Sequence, residues 1–137
     1  MSRHQIARPL LALLGAGALS ALTGCSGFDR LDFTFNSAPA DNATVTYEQI
    51  RIHEGIAVGV SARPMDGDEQ MDEDTVVQLE TKNPGVAMVM PAPRDQELEE
   101  EAPYEFVIWG VGAGSASFAV IIDGDIEGEI PVFVEAQ

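Results

Sequence analysis

Six carboxylates fall within nine residues in the run Asp66-Gly67-Asp68-Glu69-Gln70-Met71-Asp72-Glu73-Asp74. Calcium takes about 6–8 oxygen ligands, often from such loops. Asp66, Asp68, Asp72 and Asp74 are therefore candidate ligands, joined by Asp123 and Asp125 of the second acidic run, Asp123-Gly124-Asp125. Neither run is an EF-hand. Counting from Asp66, the turn glycine is replaced by Met71 and the closing glutamate by Val77; counting from Asp123, the closing position holds Val134. The plainer reading is a pair of solvated acidic loops with no cofactor, and calcium is the alternative.

Other chemistry is poorly supplied. Met88 and Met90 alternate on one strand face and could offer thioethers to Cu(I), but core filling or a place on an edge face explains them more simply. His53 is the single histidine beyond residue 4, so no zinc cluster and no second imidazole for a serine triad exist. The glycines of Gly110-Val111-Gly112-Ala113-Gly114 are followed by a strand-like alternation. Phosphate cradling needs a helix N-terminus there. These patterns predict a protein that is not an enzyme.

The elements that would position these residues are short. Period-two apolar segments occur around Ile50–Ile52, Val58–Ala62, Val77–Leu79, Val86–Met90, Phe106–Val111, Ala116–Ile122 and Ile130–Val134. Turn residues separate them at Glu54-Gly55, Asp66-Gly67, Asn83-Pro84-Gly85, Gly110 to Gly114 and Asp123-Gly124. Seven such segments predict an all-β sandwich. Asp123-Gly124 between two alternating runs predicts a hairpin. The acidic stretch 94–101 follows two prolines and reads as a loop.

The order of motifs resembles the group 2 bacterial immunoglobulin-like domains. The residues that carry the resemblance are Val58-Gly59-Val60-Ser61-Ala62-Arg63-Pro64, Asn83-Pro84-Gly85-Val86-Ala87-Met88-Val89, the glycine-rich turn and strand Gly110 to Val120, and Ile130-Pro131-Val132-Phe133-Val134. The resemblance covers roughly residues 48–135 and implies an immunoglobulin-like β-sandwich of about seven strands over 47–137. Two departures stand out. The family often has a tryptophan just before the Asn-Pro segment, where this chain has Val77 and Leu79, and the acidic insertion at 94–101 is additional.

The N-terminus has the three-part layout of a secretory leader. Arg3 and Arg8 make it basic, and Leu10 to Leu22 is apolar apart from Ser20. That run has 13 residues including two glycines, whereas a membrane span needs about 20. The run ends in Leu22-Thr23-Gly24-Cys25, which resembles the lipobox of bacterial lipoproteins. The resemblance implies a signal peptide over 1–24, cleavage before Cys25, and acylation of Cys25. A single acyl chain holds a protein only marginally, so stable anchoring takes two or more. Cys25 is the only cysteine, so it has no disulfide partner within the chain. Ser26, rather than Asp, follows it, which by the same resemblance favours the outer membrane.

The full chain carries a net charge of −16, and without residues 1–24 it has five basic against 23 acidic side chains, a net −18 over 113 residues. Such a chain excludes nucleic acid and adsorption to anionic lipid, both of which need basic patches. Residues 25–46 are rich in Ser, Asn, Asp, Ala, Thr and Pro, and read as a flexible tether, with one optional short strand at 31–35. The expected protein is a lipid-anchored envelope lipoprotein whose non-catalytic module serves adhesion or assembly. Its partner would be an envelope protein or a glycan, met at the acidic loops 66–74 and 94–101 or at a strand edge. The alternative is calcium-dependent binding of a glycan or protein at those loops.

Overall fold

A computed structural model describes residues 27–37, 42–92 and 104–137. The expected leader over 1–24, the lipidation candidate Cys25 and the acidic stretch 94–101 lie outside the described residues. Ten strands fill the described chain: β1 Arg30–Ser37, β2 Ala43–Val45, β3 Ile50–His53, β4 Ala57–Asp66, β5 Glu69–Gln70, β6 Val77–Thr81, β7 Ala87–Pro91, β8 Tyr104–Gly110, β9 Gly114–Ile122 and β10 Asp125–Glu135. All seven apolar segments read from the sequence are strands (β3, β4 and β6 to β10).

The strands form two sheets. One has the order β1-β4-β8-β7, with β5 paired to the end of β4; the other has the order β2-β3-β10-β9-β6. All pairings are antiparallel except β3 with β10, which is parallel. Strands β1, β4, β8 and β7 occupy the places of A, B, E and D of an immunoglobulin sandwich, and β6, β9 and β10 those of C, F and G. The chain is thus an immunoglobulin-like β-sandwich.

Alternation explains the core. Val58, Val60, Ala62 and Pro64 of β4 point inward, as do Phe106 and Ile108 of β8. They meet Ile50, Ile52, Phe118, Val120, Ile122, Ile130 and Val132 of the facing sheet. Burying each such side chain contributes about 1.5–3 kcal/mol. The Asp123-Gly124 hairpin forms as expected. Both residues have positive φ, 51° and 91°, as a two-residue type I′ turn requires, and Ile122 pairs with Asp125 across it.

The expected tether over 25–46 needs correction. Residues 30–37 form a full edge strand and residues 43–45 a short one, so the sandwich starts at about Arg30 rather than Tyr47. Leu31 is 1% exposed and lies opposite Pro64; Phe33 lies opposite Ala62 and Phe35 opposite Val60. Apolar alternation at 31, 33 and 35 is enough to seat the strand, despite its polar neighbours Asp32, Thr34 and Asn36.

Tyr47 closes one corner. Its ring meets Phe28 edge-on at 5.9 Å between centroids and 82° between planes. Burial, and then the charges of Asp29 and Glu127, raise its phenol above the ordinary 10.0. The unfolded chain therefore loses this proton first, and the folded state weakens as pH rises past about 10. The expected result is a fall in melting temperature above that pH that is shallower in Tyr47→Phe, measured by thermal denaturation across an alkaline pH series.

Candidate functional site

The two acidic runs sit at the same end of the sandwich. Strand β4 runs toward Asp66 and β9 toward Ile122, and the loop after β5 reaches the second hairpin through Asp123. Proximity does not make them a metal site. Among the described residues no three His, Cys, Asp or Glu side chains come together as an ion would require.

The reasons are local. The Asp123 carboxylate accepts the Val76 backbone N–H at 2.8 Å, while the Asp123 N–H donates to the Val76 carbonyl at 2.9 Å. Asp123 is thus a clamp between the β9–β10 hairpin and the start of β6. Asp66 lies against Gly27, where a Cβ would approach its Oδ2 to 2.6 Å. The Asp72 carbonyl accepts the Thr75 N–H. Asp74 is exposed in the turn before β6, and Asp125 is exposed at the start of β10. Asp68 lies 3.9 Å from the Arg30 guanidinium, which also meets Asp29 at 3.1 Å and Asp32 at 2.9 Å and donates to the Gly67 carbonyl. The cation that the β4–β5 hairpin gathers around is Arg30. Its hydrogen bond to Asp32 raises its pKa above the ordinary arginine value.

The described surface offers a different feature. On the outer face of the β4-β8-β7 sheet, Met88 lies opposite Trp109 and Met90 opposite Val107. Ala57 and Gly59 of β4 flank Trp109 and Val107 on the other side. Trp109 is 40% exposed and Met90 43%. These six residues form an uncharged patch on a chain of net charge −16, bounded along β8 by Glu105. Exposed patches of this kind mark interaction sites, and tryptophan and methionine are enriched where proteins meet.

The sequence reads Phe106–Val111 as a period-two strand segment without saying which face is covered. The alternation of Phe106 and Ile108 inward with Val107 and Trp109 outward was the available signal, and no layer covers the outer side among the described residues. His53 ends β3, half-buried. Met71 packs against the core.

No family model and no curated protein matches the chain. Among solved structures, domains 4 and 5 of the S-layer protein SbsC align with a TM-score of 0.45 at 13% identity. The alignment covers 75% of this chain and 53% of that one, so this chain spans about half the length of that structure.

Proposed function

We propose that this protein is a lipid-anchored component of a bacterial envelope, favouring the outer membrane, that presents a non-catalytic immunoglobulin-like module for adhesion or assembly. The observation that carries the binding role is the uncharged Met88–Met90–Val107–Trp109 face on an otherwise strongly acidic domain. The anchoring role rests on Leu22-Thr23-Gly24-Cys25 and its resemblance to a lipobox. The resemblance to group 2 bacterial immunoglobulin-like domains supports a display function in the same compartment.

The spacing matters for how the module is held. Cys25 precedes Arg30, the first residue of β1, by only five positions. At about 3.3–3.6 Å per residue that connection reaches no further than about 18 Å. Acyl chains on Cys25 would keep the end carrying Arg30, the β4–β5 hairpin and the β9–β10 hairpin close to the headgroups. The opposite end, with the turns at Gly55, Gly85 and Gly112, would point away, and the Trp109 face would stand beside the membrane normal.

The expected result in cells is a protein that takes up labelled fatty acid and fractionates with membranes. Cys25→Ala should lose both properties. In-cell crosslinking should capture a partner that is lost in Trp109→Ser, with membrane fractionation unchanged. A Cys25→Ala protein that stays in the membrane and still carries label would overturn the anchor. Capture unaffected by Trp109→Ser would overturn the binding face.

A further inference from the structure

The two sheets leave edges on the same side of the sandwich, β7 on one and β6 on the other, and the chain treats them differently. In β7 the hydrogen bonds Val111 N–H to Val86 O and Ala92 N–H to Glu105 O fix the register parity. Even-numbered residues pair with β8, and the odd ones face outward. Of these, Ala87 is already satisfied: its N–H donates to Asn83 O and its carbonyl accepts from Thr81 Oγ1. Pro91 has no N–H. Only Val89 keeps both main-chain groups facing outward, so this edge is largely blunted against strand addition.

Strand β6 is not. The bonds Asp123 N–H to Val76 O and Lys82 N–H to Ser117 O place the even-numbered residues against β9. The N–H and C=O groups of Val77 and Leu79 therefore face the open edge, with no partner among the described residues. Beside this edge lies a groove of about 490 Å³, within the usual size of binding clefts. Val77, Leu79, Pro91, Ala92 and Phe106 give it an apolar floor. Its charged lining is Glu80 and Glu105, with no basic residue among the described lining.

We propose that the β6 edge and its groove bind an extended protein segment by strand addition, the segment being apolar on one face and basic on the other. Its main chain would complete the ladder at Val77 and Leu79. Its apolar side chains would enter the groove between the sheets. Its lysines or arginines would stand on the outer face, beside Gln78 and Glu80, where cross-strand pairs of opposite charge are favourable. Charge selects this occupant over a second copy of the chain, because two molecules of net charge −16 repel each other. The site is separate from the Trp109 face, so either can fail alone.

The test uses the full chain and a short, end-blocked peptide of alternating valine and lysine, with a valine–glutamate peptide as comparison. Binding is read by calorimetry and by amide hydrogen exchange. The Val77 and Leu79 amides should exchange rapidly in the free protein and about tenfold more slowly with the lysine peptide. The glutamate peptide should not protect them. The double variant Gln78→Lys/Glu80→Lys changes only exposed side chains, so it should fold normally. It should weaken the lysine peptide about tenfold and favour the glutamate peptide. Trp109→Ser should bind the lysine peptide like the parent. The proposal is overturned if Val77 and Leu79 are already protected in the free protein. It is also overturned if the lysine peptide fails to bind at millimolar concentration, or binds without protecting these two amides.

Discussion

A chain that begins at Tyr47 is expected not to fold. It would lack β1 and β2, and with β1 the whole cover of the outer edge of β4. The register Arg30↔Met65 to Ser37↔Gly59 would be lost, along with Leu31, Phe33 and the Phe28 contact to Tyr47. Domains of this size are stable by only roughly 5–15 kcal/mol. Removing β1 and β2 takes away the buried Leu31 and Val45, each contributing about 1.5–3 kcal/mol, together with the partly buried Phe33. The point substitution gives a graded version of the same result. Leu31 is among the largest fully buried side chains, and Leu31→Ala should cost about 3 kcal/mol. Thr34→Ala, three positions along on the exposed face of the same strand, should stay within about 0.5 kcal/mol. Denaturant unfolding of the three proteins decides the matter. A cooperative transition in the chain starting at Tyr47, with native-like stability, would return residues 30–37 to the role of a tether.

That strand shows where sequence reading loses its grip. Segments such as Val58–Ala62 and Ala116–Ile122 announce themselves, because the inward face is aliphatic at every second position and turn residues stand at both ends. Strand β1 alternates just as well at Leu31, Phe33 and Phe35. Its outward residues Asp32, Thr34 and Asn36 are polar, however, and it is embedded in a Ser-, Asn- and Pro-rich stretch, so composition argued for a tether. Strands β2 and β5, three and two residues long, are below the length at which a period can be read at all. Their pairing follows from strands that are distant in sequence.

The candidate site divides along the same line. That residues 66–74 and 123–125 are acidic was legible; what each carboxylate does was not. Asp123 is spent on the Val76 N–H, 47 positions away. Asp68 faces the guanidinium of Arg30, on a strand whose polar, Ser- and Asn-rich surroundings disguise it in the sequence. Residue types give the chemistry available to a loop, but a ligand set depends on which side chains are already engaged, and that is a property of the pairing. The Trp109 face is hidden for another reason. The period-two reading of Phe106–Val111 does not say which of its faces a second layer covers, and only the sheet order puts Val107 and Trp109 on the side that no described layer covers.

Gly110 carries the second large expected effect. In the sequence it opens a glycine-rich turn, and its role there would be backbone freedom. The structure gives it another. Gly110 is the buried last residue of β8, without a positive φ. Its N–H donates to Ile56 O at 2.9 Å, and its carbonyl accepts from Gly55 N–H at 2.7 Å. A Cβ here would stand 2.6 Å from the His53 carbonyl oxygen and 3.2 Å from Ile52 Cγ2. The first obstacle is backbone, held in place because β3 is paired to β10 as far as His53↔Glu135. The clash therefore cannot be relieved by turning a side chain. Either β8 lifts off β3 or the Gly55 turn breaks, and both open the junction of the two sheets. Gly110→Ala should cost about 3 kcal/mol, at the upper end of ordinary overpacking, and Gly110→Val more. Gly85→Ala is the matched control. Gly85 has no positive φ, and its nearest neighbour is a side-chain oxygen, Asn83 Oδ1, at 3.5 Å. That substitution should be neutral or stabilise by a few tenths of a kcal/mol through the unfolded chain. Equal melting temperatures for Gly110→Ala and Gly85→Ala would mean that the sheets do not approach at Gly110 as described, and that the glycine serves the turn alone.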